Sequence, residues 1–592
     1  MKVKVNRNII WSKVFFDQLV SIGVKYACIS PGSRSTSLTY VLSKNKKIKS
    51  FVHIDERSSA FFALGLAKAS GKPVIVVTTS GTAVAELYPA IIEAYQQRAP
   101  LIICTADRPP ELIGSGANQT INQYNLFANH IRWFRDLGLP AISEIGLNHL
   151  QKIAFEAYQV SLIEDKGPVH LNFPFRKPLE PESYTDVVNK KILSIKPINF
   201  LSKKTHSSNH NFNSRLINKI SDDLIKFENG LIIVGPMEYN RKALDGIKKL
   251  SGLLNYPVIA DGLSQLRFSV KKNEKNIIAN FNSLLKSENF KQAFEPEIIL
   301  QFGRTPTSAV IEEFIAETNA DRYLVNSFGD RFDPAGNAKA ILSVEPEVFC
   351  EMITEKLKHK KIFRRSSNYI KSFIKADTIC EKIKHGFINQ SGFPNEAALI
   401  SLITHALPSG SNLFIGNSLP VRDLDNFVSK NSKKITFHFN RGASGIDGIT
   451  STALGVASLK TSTILITGDL SFLHDLSALI TMNKYDIKFV IIVINNDGGG
   501  IFASLPIANK VKGFKEYFLT PHNMDLKEIT NSFGIDYQLI TNPKKFNKAL
   551  SEMTIKNLPL VLEIKTDAQK AVIQREKYFS EVKKKLNKEF SK

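Results

Sequence analysis

Cysteine is scarce. The four in the chain, Cys28, Cys104, Cys350 and Cys380, lie far apart and none stands in a CxxC pair. That excludes a zinc ribbon and a disulfide framework, and leaves reduced thiols in a core. Long apolar runs are also missing. The longest, such as Phe489–Ile494, fall well short of the roughly 20 residues a membrane-crossing helix needs, so no integral membrane association is expected. The opening stretch MKVKVNRNIIWSKVFFDQLV is basic and then apolar, but Ser12, Lys13 and Asp17 interrupt it and no small-residue cleavage site follows. It predicts an amphipathic helix rather than a secretion signal, and a cytoplasmic protein. No HExxH, GxSxG or GxxxxGK[ST] occurs, which excludes a zincin, an α/β-hydrolase and a Walker-type ATPase. His53, His170, His438 and His474 accordingly read as structural.

Negative charge is outweighed. Lys and Arg number 78 against 55 Asp and Glu, a net +23. The excess is mostly Lys, spread along the chain and gathered in Lys356–Lys361 and Lys583–Lys592, with no basic stripe interleaved with aromatics. The balance suits anionic small molecules better than nucleic acid.

With 592 residues the chain holds several cores. YACIS (26–30), PVIVVTT (73–79), LIICTA (101–106) and VHLNFP (169–174) read as buried strands, alternating with helical patterns such as Ser58–Ser70 and Thr82–Arg98. A polar stretch, 194–213, reads as a linker. GLIIVG (230–235), YPVIAD (256–261), EIILQFG (297–303) and RYLVNS (322–327) form a second set, and the basic, helical stretch 352–390 a second connection. NLFIGN (412–417), STILITGD (462–469), KFVIIVINN (488–496) and LVLEIKTD (560–567) form a third. Repeated strand-then-helix units predict an α/β fold of three doubly wound, mostly parallel-sheet domains, at 1–190, 215–350 and 391–592. The tail, AVIQREKYFSEVKKKLNKEF, reads as an exposed terminal helix.

The chemistry concentrates where strands end. Asp469 closes one apolar run and Asn496 the next, 27 residues later. Open α/β sheets bind ligands at the carboxyl ends of strands. Asp, Asn and a backbone carbonyl from Gly498 are hard oxygen donors of the kind Mg²⁺ takes beside substrate phosphates. Asp and Asn are also common helix caps, so either alone is a turn; the pair, joined by one strand–helix–strand unit, points to a metal and a diphosphate. Glu56 opens a helix of small apolar residues, where burial raises a carboxyl pKa and lets it share a proton with a ligand. SPGSRST (30–36), TADRPPEL (105–112), GNSLPVRDLDNF (416–427) and NRGASGIDG (440–448) place Arg34, Arg108, Arg422 and Arg441 in strand-end loops. Four such arginines imply a polycarboxylate substrate.

Glu56 upstream, with GD and NN downstream, resembles the thiamine-diphosphate enzymes of the pyruvate-decarboxylase and acetolactate-synthase superfamily, over residues 8–567. The resemblance implies a pyrimidine-binding, a middle and a diphosphate-binding domain in that order, and thiamine diphosphate with Mg²⁺ (or Mn²⁺) as cofactors. The metal motif departs at one glycine, GDL (468–470) for GDG. That departure, with GANQTINQ (116–123), GPVHLNFPFRKPL (167–179), NNDGGGIF and the arginine loops, is similar to the branch that decarboxylates 2-oxoglutarate and adds the succinyl unit to isochorismate in menaquinone biosynthesis. By that resemblance Glu56 hydrogen-bonds N1′ of the aminopyrimidine. Asp469, Asn496 and Gly498 hold the metal, Gly468, Leu470 and Ser471 border the diphosphate, and Ile446 wedges the cofactor. Ser33, Arg34, Arg108, Asn118, Gln119, Ser418, Arg422 and Arg441 line the substrate pocket, with Gln119 orienting water or a carbonyl oxygen; Phe502 and Leu505 form its apolar wall. In FGRTPTSAV, Ala309 stands where many relatives carry a basic residue, and Arg304 is the candidate to replace it. The family builds its site between two chains, so a homodimer or a dimer of dimers is implied. The rival within the superfamily is an acetolactate-synthase-like carboligase acting on pyruvate; a ligand-binding relative without activity has no need of Glu56, Asp469 and Asn496 together.

Overall fold

The computed structural model describes residues 1–163, 165–198, 214–271, 273–327, 333–358, 360, 367–556 and 559–591. Most of the linker expected at 194–213, and residues 359 and 361–366 of the connection expected at 352–390, lie outside them.

Three six-stranded, wholly parallel sheets organise the chain. The first runs, edge to edge, Lys49–Val52, Tyr26–Ile29, Val74–Thr78, Leu101–Asp107, Val169–Pro174 and Trp133–Asp136. The third runs Thr436–Phe439, Asn412–Ile415, Thr463–Gly468, Val490–Asn495, Leu560–Lys565 and Asp536–Leu539. In chain order both read 2-1-3-4-6-5, so the direction of winding reverses between their first and third strands. The middle sheet reads 3-2-1-4-5-6, with Gly230–Val234 and Ile298–Phe302 at its centre. A reversal of this kind leaves a crevice at the carboxyl ends of the two strands that flank it.

Burial explains why the central strands are continuous apolar runs. In the first sheet Val74 and Val76 enter one apolar core while Ile75 and Val77 enter another, so both faces are covered. The first of these cores is shared: Phe61, Phe62 and Leu64 pack with Leu454, Leu465, Phe472 and Val493 of the third unit. Helices Glu56–Ser70 and Ile449–Ala457 cross here backbone to backbone. A Cβ on Gly65 would stand 2.0 Å from the Thr452 carbonyl oxygen, and one on Gly455 would stand 2.2 Å from that of Phe62. Gly455→Val therefore separates the two helices, with an expected loss of about 3 kcal/mol or more, read as a lowered thermal midpoint of the full chain.

All four cysteines are free and buried. The tail departs from its expected exposure. Helix Ala568–Glu589 buries Tyr578, Val582 and Leu586 in a core that also holds Phe373, Cys380 and Phe427. Tyr578, Val582 and Leu586 share one face at helical spacing, which the surrounding lysines mask in the sequence. Helix Ser367–Gln390 joins the same core, so the stretch after 367 packs as part of the body. No helix among the described residues is long and apolar enough to cross a membrane.

Candidate active site

The third sheet's reversal point supplies the cavity. Asn417 and Ser418 follow its first strand, Gly468 ends its third, Asp469 opens the helix after it, and Asn496 follows its fourth. They line a cavity of about 220 Å³ together with Leu470, Ser471, Ile446, Gly498 and Phe502. Asp469 is 2% exposed. Its Oδ1 accepts the Leu470 amide and its Oδ2 the Gly498 amide, each at 2.8 Å. Burial raises its pKa, opposed by those amides and by His522. Gly498 has φ +137°, and a Cβ there would stand 2.0 Å from the Leu519 carbonyl oxygen, so only glycine makes this bend.

These residues fit a hard cation. The Asn496 Oδ1 is buried and has no hydrogen-bond partner, an arrangement that costs about 1–3 kcal/mol unless something occupies it. Among the described residues no group of three His, Cys, Asp or Glu could hold a metal, so a cation here would draw on amide and backbone oxygens beside a carboxylate such as Asp469. That donor set, with room for phosphate oxygens and water, is the preference of Mg²⁺. Ile446 is 39% exposed and Phe502 37%, apolar surface that a ring-shaped ligand would cover.

The rim is positive. Arg422 donates to the Ser418 carbonyl at 2.7 Å, and Arg441 donates to the Asn417 Oδ1 at 3.3 Å. Burial, and then Arg441, lowers the pKa of Arg422; two guanidiniums held this close favour an anion between them. Ser418 has φ +69°, a strained backbone in a side-chain-bearing residue. The Arg441 loop is held from the first unit, where the Glu93 carboxylate accepts the Gly442 and Ala443 amides at 2.8 and 2.6 Å.

A second cluster forms at the same corner of the first sheet. Arg34 donates to the Phe175 carbonyl at 2.8 Å. Arg108 donates to Ser80 and, at 2.9 Å, to the Asn118 carbonyl. Gln119, at φ +59°, donates to the Ser80 carbonyl at 3.2 Å. Ser33 is exposed beside Arg34. Glu56 opens its helix behind Asp55, whose side chain accepts the Ser58 amide at 3.1 Å. Burial raises the Glu56 pKa, its own backbone amide opposes that, and Asp55 and Glu86 add to the rise. None of these first-unit residues lines the cavity of Asp469 and Asn496; nor does Leu505, which is 44% exposed.

Several neighbours of the site carry no signal in the sequence. Glu396, 2% exposed, accepts the Asn496 Nδ2 at 3.1 Å and the Thr566 hydroxyl at 2.6 Å. Arg575 donates to Glu396 at 3.0 Å and grips both oxygens of Asp423. His522 lies 3.4 Å from Asp469. None follows an apolar run, and the first turn of a helix is an ordinary place for a glutamate.

Three family profiles match the chain: thiamine pyrophosphate enzyme, N-terminal TPP binding domain, over residues 11–126; the middle domain of thiamine pyrophosphate enzymes over 201–415; and the C-terminal TPP binding domain over 426–564. The 2-succinyl-5-enolpyruvyl-6-hydroxy-3-cyclohexene-1-carboxylate synthase of Haloquadratum walsbyi is 35% identical over 98% of this chain and 99% of its own. The synthase of the same name from Trichodesmium erythraeum is 35% identical over 95% and 96%. This chain belongs to the 2-succinyl-5-enolpyruvyl-6-hydroxy-3-cyclohexene-1-carboxylate synthase family. A thiamine diphosphate-dependent 4-hydroxybenzoylformate decarboxylase of Rhodococcus jostii RHA1 superposes with a TM-score of 0.66 over 94% of this chain and 99% of its own, at 15% identity, a likeness of fold.

Within this member of the family the middle unit approaches the site in one place and avoids it in another. Glu312, on the helix that begins at Ala309, is close enough to Arg441 to feel its charge. Arg304 is not at the Asp469 cavity. It is buried against the first unit, donates to the Gln96 carbonyl at 2.9 Å, and lines a separate cavity with Gln97, Arg98 and Glu238.

Proposed function

We propose that the chain catalyses the thiamine-diphosphate-dependent decarboxylation of 2-oxoglutarate and the conjugate addition of the remaining succinyl unit to isochorismate. The product is 2-succinyl-5-enolpyruvyl-6-hydroxy-3-cyclohexene-1-carboxylate, a step of menaquinone biosynthesis. The observation that carries this reading is the pairing of a buried Asp469–Asn496 cavity with a rim of arginines, in a chain related end to end to synthases of that name. Asp469, Asn496 and the Gly498 carbonyl would hold Mg²⁺ or Mn²⁺, and Gly468, Leu470 and Ser471 would border the diphosphate. When bound, thiamine diphosphate supplies the electron sink that decarboxylation of a 2-oxo acid requires. Glu56, its pKa raised, holds a proton at the aminopyrimidine N1′. Ile446 orients the rings, and Phe502 and Leu505 keep water from the reacting carbons. Each substrate carries two carboxylates, which gives Arg34, Arg108, Arg422 and Arg441 partners. Ser33, Asn118 and Ser418 add hydrogen bonds, and Gln119 orients a carbonyl oxygen or a water. All reactants are small charged molecules, as suits a cytoplasmic enzyme.

We infer further that the site is shared between two copies of the chain, as a homodimer or a dimer of dimers. The pyrimidine half would come from residues 1–190 of one copy and the diphosphate half from 391–592 of the other. Within one copy none of Glu56, Arg34, Arg108 and Gln119 lines the cavity of Asp469 and Asn496.

Purified protein with thiamine diphosphate and Mg²⁺ should consume isochorismate, followed by its absorbance, only when 2-oxoglutarate is also present. Turnover of pyruvate alone would instead favour an acetolactate-synthase-like carboligase. Arg422→Ala and Arg441→Ala are each expected to raise KM for one or both acids by about 10–100-fold, the worth of a charge-assisted hydrogen bond. Cofactor affinity, measured by thermal shift, should stay near the wild-type value.

A further inference from the structure

An asparagine that binds a metal faces a choice that an aspartate does not. Its two amide ends are nearly the same size, and only the oxygen binds a cation. Asn496 lies in a packed pocket: a Cβ on Gly500 would stand 2.4 Å from its Nδ2. Packing alone does not tell oxygen from nitrogen; a hydrogen-bond partner does.

We propose that Glu396 and Arg575 are positioning residues that set the Asn496 amide with its oxygen toward the metal. The inference rests on the reading of Asp469, Asn496 and Gly498 as metal ligands. Glu396 Oε2 accepts the Asn496 Nδ2 at 3.1 Å and Thr566 Oγ1 at 2.6 Å, while Oε1 accepts Arg575 at 3.0 Å. A carboxylate paired to arginine only accepts, so it rejects the flipped amide, which would present oxygen to oxygen. The consequence is visible on the other side: Oδ1 is the buried atom left without a partner. Arg575 belongs to the terminal helix and bridges Glu396 to Asp423, with side-chain exposures of 12%, 2% and 2%. The helix thereby reaches Asn496 through two side chains, Arg575 and Glu396. Partners behind a ligand are worth roughly 10–100-fold in metal affinity.

The test is a Mn²⁺ titration of the full chain with thiamine diphosphate, read by electron paramagnetic resonance. In Glu396→Gln the new amide must turn its NH₂ toward Arg575 or toward Asn496; the second turns Asn496 round and offers its NH₂ to the metal. Affinity is expected to fall about 10–100-fold. Asn496→Asp sets two carboxylates against each other and is also expected to weaken binding, although it adds a negative charge beside the metal. Combined, the two should recover most of the loss, because the NH₂ of the introduced glutamine donates to one oxygen of the introduced aspartate and leaves the other for Mn²⁺. A folded Glu396→Gln variant that binds Mn²⁺ as the wild type does would overturn the proposal. So would a double variant no better than Glu396→Gln. Where Glu396→Gln does not fold, Asn496→Asp alone decides: tighter binding contradicts the account. Failure of the wild type to bind Mn²⁺ with thiamine diphosphate would instead sink the functional reading.

Discussion

Glu56→Gln is expected to lower kcat by about 10²–10⁴-fold, the range for losing a positioned proton donor or acceptor, while Mn²⁺ and diphosphate affinity stay near wild type. The separation follows from position. Glu56 stands at the start of a first-unit helix and contributes nothing to the cavity of Asp469 and Asn496. Glutamine keeps the shape and a hydrogen bond but holds no exchangeable acid proton. Burial shifts the Glu56 pKa upward, and the nearby Asp55 and Glu86 add to that against its own backbone amide. A Glu56→Gln enzyme with normal turnover would remove this residue from the mechanism. One that also lost Mn²⁺ would show the helix start to be part of the metal site.

Asp469→Ala should fail differently. It removes the single carboxylate among the proposed ligands and frees the Leu470 and Gly498 amides that Asp469 now accepts. Activity at moderate Mg²⁺ is expected to fall by on the order of 10³-fold or more, since metal stabilisation of charge is worth several kcal/mol. Excess Mg²⁺ should restore part of it by mass action. In the wild type, a chelator should abolish activity reversibly. Activity that survives both chelation and Asp469→Ala would exclude the metal from the reaction.

What the sequence makes legible follows from how each part is buried. The central strands are covered on both faces and therefore appear as unbroken apolar runs, as in Val74–Thr78 and Val490–Asn495. Residues that follow such runs, including Asp469, Asn496, Ser418 and Arg108, stand out for the same reason. Edge strands do not. Trp133–Asp136 and Asp536–Leu539 are half-exposed and polar at every second or third position, so no periodicity marks them. The strand order is hidden as well, because it depends on which crossovers pack where.

Within the site, side chains that act through another residue leave no local trace. Glu396 looks like a helix-opening glutamate, and Arg575 is one of many basic residues in a tail that reads as exposed. Only the fold brings Glu396 to Asn496, across 100 residues, and Arg575 to Glu396, across 179. Glu93 is similar: its partners, Gly442 and Ala443, lie some 350 residues away. That the site is shared between two chains is implied by the resemblance of the sequence, and by neither composition nor spacing. None of Glu56, Arg34, Arg108 and Gln119 lines the cavity of Asp469 and Asn496 in the packed chain.

Mixing two impaired variants tests directly whether two chains share the site. Glu56→Gln and Asp469→Ala are each expected to be nearly inactive alone. If each site takes Glu56 from one chain and Asp469 from the other, a mixed dimer carries both defects in one site and neither in its second. Random reassortment of subunits then restores about a quarter of wild-type isochorismate consumption, since half the dimers are mixed and each has one intact site. Activity that stays at the level of the parent variants after demonstrated subunit exchange would contradict a site shared between two chains.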